Sequence, residues 1–324
     1  MAYSRGLHDL GDGCHAWLQP DGGWGWSNSG LVTGGGASLL VDTLFDLVTT
    51  RQMLDGIRPL TDRAPLTTVV NTHSDGDHCF GNELVASPGV EIIASAAAAR
   101  LITQHAVEEI SALPRLAGRA GAYAAAVLAP FRFDDITVVP PTRTFTGRLS
   151  VDVGGREVEL IEVGPAHTAG DVLVHVPDAR VMFAGDILFI DGTPIVWAGP
   201  PQRWVDACDL LLDMRLTAIV PGHGPVTGKT GVAQVRDYLG FVIAEATKRH
   251  EAGLDADAAI ASIDLGKYAG MPNQGRLAQN VAAVYRALDP ELPPQPLTEI
   301  FGKIADLEGF TADAGLSAAT GGGN

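Results

Sequence analysis

The sequence is poor in cysteine, poor in bases and free of long apolar runs. Its three cysteines, Cys14, Cys79 and Cys208, are scattered and odd in number. They make no disulfide framework, which points to a reducing compartment and an expected cytoplasmic location. Lys and Arg total 22 against 38 acids, a formal charge of −16. So acidic a surface repels phosphate backbones and anionic lipid, so neither nucleic acid nor membrane is an expected partner. No uncharged apolar stretch reaches membrane-spanning length, and MAYSRGLHDLGDGCHAWLQP lacks the apolar core of a signal peptide. No linker-like stretch divides the chain, and no repeat is visible. What is abundant is apolar residue, 46% of 324, enough for a sizeable core.

Periodicity predicts layered α/β architecture. Residues 12–22 read as polar and turn-rich, apart from the short run Cys14 to Leu18. Strands are expected at 29–33 and 38–42 around the turn Gly34-Gly35-Gly36, then at 67–71 and 90–95. Residues 44–58 have helical spacing, with Pro59 expected to end that helix. An alanine-rich helical insertion covers about 96–133, interrupted near Pro114 and Gly118. Strands return through TRTFTG, LSVDVG, REVELIEVG, DVLVHVP and ARVMFAGD, with a helix at 203–215 and a strand in TAIVPGHG. Helices are expected over about 231–289. One carries the stripe Val235, Leu239, Val242, Ile243 and Ala246, which must pack on the body of the protein or on a second copy in a homodimer. The expectation is a single domain over 1–310 and a flexible tail at 311–324.

Four loops carry the chemistry. Each follows a strand-like run: TVVNTHSDGDH (67–78), LIEVGPAHTAGD (160–171), VMFAGDILF (181–189) and AIVPGHGPV (218–226). Strand ends on one sheet edge converge, so His73, Asp75, Asp77, His78, His167, Asp186 and His223 can meet. Imidazole with carboxylate suits zinc, iron or manganese. A lone His after a strand is more often a cap or a surface residue. Two aspartates between two histidines in six residues are different, because they repel and strain without a cation.

The ordered set HSDGDH, GPAHT, FAGD and PGHG resembles the metallo-β-lactamase superfamily, whose pattern is HxHxDH, then His, then Asp in a GD pair, then His in a GHG-like loop. The resemblance implies an αββα sandwich with a metal site at the sheet edges. It implies one metal position at His73, residue 75 and His167, another at Asp77, His78 and His223, and Asp186 between them. Asp42 in VDT resembles the family's early strand-end aspartate, which orients a ligand. The departure is Asp75, where the family usually has histidine. It is a harder ligand of a dinuclear site, or a hydrogen-bonding group or general base beside a single zinc, or the mark of a dead site. One firmly held zinc, with a weaker second position, is the expectation; iron and manganese come after it.

A divalent metal lowers the pKa of bound water to about 7, so the expected reaction is hydrolysis by zinc-activated hydroxide. Asp75, His73 or His167 would hold the water or protonate the leaving group, and Asp77 joins them as a catalytic candidate. Cys79 follows a ligand but reads as packing. Trp24 and Trp26 in GGWGWSN, and Trp197 in IDGTPIVWAGP, are expected to border a small-molecule substrate that is flat, apolar or aromatic. No cluster of Arg or Lys flanks the metal loops, which argues against strongly anionic substrates. Within the superfamily, GWGWSN, the NTHxxGDHxFGN core, GPAHT and RDYL resemble cyclase/thioesterase-like enzymes of aromatic polyketide pathways and hydrolytic dehalogenases of chlorothalonil. Thioester or ester hydrolysis, or hydrolytic loss of an aromatic chloride, follows. Alternatives are lactonase or β-lactamase-type hydrolysis, a diiron oxidoreductase resembling flavodiiron proteins, and a non-catalytic interaction protein on an old scaffold.

Overall fold

Two β-sheets stacked face to face organise the chain in a computed structural model that describes residues 3–310. The first sheet runs in chain order: β1 (Gly6–Gly11), β2 (Cys14–Leu18), β3 (Ser29–Thr33), β4 (Ser38–Val41), β5 (Leu66–Val70), β6 (Glu91–Ser95) and β7 (Arg143–Phe145). Its first three pairings are antiparallel and its last three parallel. The second sheet, from one edge, is β12 (Ala218–Val220), β11 (Val181–Phe183), β10 (Val172–Val176), β9 (Arg156–Glu162) and β8 (Arg148–Val153). Only β11 and β12 pair in parallel within it.

Strand residues alternate between two buried layers, as a period of two requires. Val32, Leu39, Val70 and Ile93 face the second sheet and meet Val158, Leu160, Val174 and Phe183 there. Their chain neighbours Leu31, Leu40, Val69 and Ile92 face outward onto Met53 and Ile57 of α1 (Leu47–Thr61). Contact between the sheets is close at Gly30, where an added Cβ would lie 2.2 Å from the Phe183 ring. The second sheet's outer face, through Ile161, Leu173, Met182 and Ile219, packs on the remaining helices. The order helix, sheet, sheet, helix is the expected αββα sandwich.

The insertion holds α3 (Ala96–Ala99), α4 (Gln104–Ala112) and α5 (Gly118–Leu128), broken by a 3-10 turn at Leu113–Arg115. After β11 come α6 (Pro201–Asp213) and, beyond β12, α7 (Lys229–Glu251), α8 (Ala256–Ser262), α9 (Leu277–Leu288) and α10 (Leu297–Leu307). The α7 stripe of Val235, Leu239, Val242 and Ala246 is buried within the chain, where α7 packs on α6 and α9.

Three local expectations differ from the structure. The run Cys14 to Leu18, set apart from its turn-rich surroundings, forms β2, and a strand not expected from the sequence, β1, precedes it. β1 is a half-exposed edge strand, so GLHDLG shows no apolar alternation. Pro59 does not end α1. It sits in the last turn, where a missing N–H costs one bond and Asp62 N–H closes the end on the Arg58 carbonyl. The C-terminal helices run past 289, because α10 follows the proline-rich stretch and packs on α5. The expected tail at 311–324 lies outside the described residues. Among those described, no helix is long and apolar enough to cross a membrane.

Candidate metal centre

The four motif loops leave the ends of β5, β9, β11 and β12 and come together. Asp42, just past β4, ties the first loop down. Its Oδ1 accepts from Thr72 N at 2.6 Å, and its Oδ2 accepts from Thr72 Oγ1 at 2.7 Å and from His78 Nδ1 at 2.9 Å. Thr72 Oγ1 in turn accepts from His73 Nδ1 at 2.9 Å. Asp75 then caps the four-residue helix α2 (Gly76–Cys79) without a side-chain capping bond, and its Oδ2 instead faces His167 Nε2 at 3.2 Å.

The other loops are held as firmly. His167 Nδ1 donates to the Ile195 carbonyl at 2.6 Å. Asp171 accepts from Thr168 N, Thr168 Oγ1 and Ala166 N and so fixes the turn around His167. Asp186 sits in a 3-10 turn, Gly185–Ile187, against Gly222. A Cβ at 222 would lie 1.8 Å from Asp186 Oδ1, which is why glycine stands there. His223 Nδ1 donates to the Gly22 carbonyl at 3.1 Å, and its ring stacks on Phe189 at 5.0 Å.

Every one of the four imidazoles therefore spends Nδ1 outward and turns Nε2 inward. His73, Asp75 and His167 form one group of ligand atoms within 4.8 Å of one another, and Asp77, His78 and His223 form another. Asp186 lies between the two. Its Oδ2 is 3.8 Å from His73 Nε2, 3.3 Å from His167 Nε2 and 3.5 Å from His223 Nε2. Its Oδ1 is 3.0 Å from His78 Nε2, yet neither atom makes a hydrogen bond, and His73 Nε2 is likewise buried without a partner. Buried polar atoms left unpaired around a shared point are what a cation would satisfy. The donor set of imidazoles and carboxylates fits zinc, iron or manganese.

The electrostatics agree. Burial and the neighbouring His78 push the pKa of His73 well below the usual histidine value, so its inward nitrogen keeps a lone pair. Burial opposes charge on His167 also, but the Asp75 and Asp186 carboxylates outweigh it and raise its pKa to about 9. His78 rises well above its ordinary value for the same reason, with Asp186, Asp77 and Asp42 prevailing over burial. A proton on an imidazole offsets these carboxylates, and metal binding would release it. Cys79 is no nucleophile here. Burial and nearby carboxylates push its thiol well above the usual range, and it points at the Ser74 and Asp75 carbonyls.

A cavity of about 320 Å³ opens onto the cluster. Trp24, Trp197, Phe45, Phe80, Phe189 and Phe301 give it an aromatic wall, and Leu101 and Ile110 of the insertion border its mouth. Trp24 Nε1 donates to Tyr123 Oη of α5 at 2.9 Å, joining the insertion to the wall. Trp26 is not in the lining. It packs on Phe131 at 4.7 Å and under the Arg5 guanidinium.

Several residues here were not singled out by sequence. Ser27 donates to the Asp77 carbonyl at 2.5 Å, and the Asn28 amide donates to the Pro221 and Gly224 carbonyls at 3.0 and 2.8 Å. The SN of GWGWSN thus clamps two metal loops. Asp171, in the quoted GPAHTAGD, was legible as a turn acid. Arg276 gave no signal. It reaches the cavity from the end of a 3-10 turn, Gln274–Arg276, far along the chain.

A family model described as the metallo-beta-lactamase superfamily matches residues 22–223. The chain belongs to the metallo-β-lactamase superfamily. Within this superfamily it is 26% identical over 199 residues to the 2,4-dinitroanisole O-demethylase subunit alpha of Nocardioides sp. (strain JS1661), covering 59% of this chain and 51% of that one. It is 25% identical over 216 residues to acyl-coenzyme A thioesterase MBLAC2 of Bos taurus, covering 61% and 72%. The chain spans about half the length of the first curated relatives it matches. The stereoselective inverting sec-alkylsulfatase Pisa1 from Pseudomonas sp. superposes with a TM-score of 0.65 at 20% identity, over 90% of this chain and 52% of that one. That likeness is one of fold.

Removing the Asp42 carboxylate (Asp42→Ala) is expected to weaken metal affinity about 10–100-fold, because Thr72 and His78 lose their common anchor. Competition with a chelator of known affinity measures it; an unchanged affinity would show that backbone geometry alone orients His78.

Proposed function

We propose that this chain is a metal-dependent hydrolase of small esters or thioesters, with two metal positions and Asp75 as a ligand of one. The observation that carries this reading is the convergence of four inward Nε2 atoms and three carboxylates at the floor of an aromatic-walled cavity. His73, Asp75 and His167 would hold one metal, Asp77, His78 and His223 the other, and Asp186 faces both. A bound divalent metal supplies a Lewis acid and lowers the pKa of water to about 7. The protein's part is to present rigid ligands, exclude bulk water and seat the substrate against Trp24 and Trp197. Asp75, with its side chain 30% exposed, is the site carboxylate most open to the cavity. From there it can take or return a proton on the substrate side. The thioesterase relative supports this reading.

A second reading is substitution at an aromatic carbon, with chloride or alkoxide leaving. The aromatic wall and the dinitroanisole demethylase relative favour it.

Elemental mass spectrometry on protein purified in zinc should find about two zinc per chain. Hydrolysis of 4-nitrophenyl butyrate, butyryl thioesters, aryl chlorides and aryl methyl ethers then separates the two readings. Absence of metal after zinc is offered would sink both, and an iron pair would redirect the assignment to an oxidoreductase.

A further inference from the structure

Arg276 is a buried cation that makes no ion pair among the described residues. Only 2% of its surface is exposed. Among the described residues no carboxylate lies within ion-pair distance of its guanidinium, and that group makes a single hydrogen bond, from Nη1 to the Thr193 carbonyl at 2.8 Å. Nε is buried without a partner. The guanidinium lies over the Trp24 ring, 4.3 Å from its centroid, and 5.3 Å from that of Phe189, and it borders the same cavity as the metal cluster.

A purely structural role accounts for part of this. Stacking on Trp24 and holding the Thr193 carbonyl fix the loop before Trp197. It does not account for the unused Nε and Nη2. Those two nitrogens form one edge of the guanidinium fork, the edge that matches the two oxygens of a carboxylate. Burying an arginine with that edge unpaired is costly unless something else occupies it. The acids of the cavity floor are not free to do so, since the metal cluster claims Asp75, Asp77 and Asp186.

We propose that Arg276 is the anion-recognition residue of this cavity, and that the substrate carries one carboxylate on an apolar or aromatic body. This rests on the hydrolase reading for the reaction, but not for the binding. One fork, with no second Arg or Lys in the lining, suits a planar carboxylate rather than a phosphate. The aromatic rings take the body, and the metal cluster takes the bond to be cleaved. A single carboxylate is compatible with the expectation from sequence against strongly anionic substrates, and the cation that would meet it comes from the C-terminal helical part.

The test uses the full chain loaded with zinc and follows quenching of tryptophan fluorescence, to which Trp24 and Trp197 contribute. Benzoate is expected to bind at least about tenfold more tightly than its neutral counterpart benzamide. Arg276→Gln should abolish that difference, and Arg276→Lys should keep part of it. Equal binding of benzoate and benzamide by the unmodified protein overturns the proposal without any variant. So does an unchanged benzoate affinity in Arg276→Gln, which would place the carboxylate on the metal. In turnover, the kcat/KM ratio of 4-nitrophenyl hemisuccinate to 4-nitrophenyl butyrate should fall about tenfold or more in Arg276→Gln. Should neither ester turn over while the Arg276-dependent preference for benzoate persists, the hydrolase reading falls and the anion site stands.

Discussion

Asp75→Ala is expected to hold about one metal per chain where the unmodified protein holds about two, and to lose roughly a thousandfold in kcat/KM, the loss of about 4 kcal/mol of transition-state stabilisation. The reasoning is geometric. Asp75 Oδ2 lies 3.2 Å from His167 Nε2 and 3.9 Å from His73 Nε2, so one ion can reach all three. Asp75→Ala leaves that position two imidazoles and a carboxylate shared with the other position, and the loss of its own carboxylate weakens its hold on the ion. The variant is a clean probe. Asp75 makes no capping bond to α2 and its side chain is partly exposed, so the helix and the loop have no need of it for folding. Asp75→His should keep two metals, because it restores an imidazole where the superfamily usually has one. Elemental analysis of the three proteins decides it. A metal content unchanged in Asp75→Ala would make Asp75 a holder of water or protons rather than a ligand.

Trp204→Ala is expected to destabilise the protein by about 3–5 kcal/mol and to lower its melting temperature by on the order of 10 °C. Trp204 is fully buried on α6, and its Nε1 donates to the Ile187 carbonyl at 2.9 Å. Its ring stands edge-on to His167 at 5.4 Å and beside Phe189 at 6.2 Å. Removing it opens a cavity directly behind a metal ligand and leaves the carbonyl next to Asp186 without its donor. Activity should therefore fall further than stability alone predicts, because the His167 ring loses the surface that holds its angle. Trp204→Phe keeps most of the volume and should cost far less. Thermal melting with metal in excess measures the first effect; a drop under about 2 °C in Trp204→Ala would show that the site collapses to fill the gap.

Much of the centre was legible because ligands come in short, unusual runs. HSDGDH places four titratable groups in six residues, and no packing demand explains that. GPAHT, FAGD and PGHG each put one such group at a strand end, where sheet geometry gathers them. Trp24 and Trp197 could be read as cavity residues from their loops, while Trp26, from the same loop as Trp24, turned to Phe131 instead. Nothing in a sequence distinguishes two tryptophans two residues apart in a glycine-rich loop.

By itself the sequence determined a layered α/β architecture, the chain order of the strands from β3 onward, and a set of candidate ligand residues. Those rest on local information, such as alternation of period two, turn glycines, and chemical types that a core does not tolerate. Tertiary structure decided three other things. It turned every Nε2 inward, through bonds from Nδ1 to Asp42, Thr72 Oγ1, and the Ile195 and Gly22 carbonyls. It placed Asp75 within reach of the His73 and His167 imidazoles. And it brought Arg276 from the C-terminal helical part to a cavity built by loops far earlier in the chain. Orientation and long-range proximity depend on partners distant in sequence, and no window of neighbouring residues contains them.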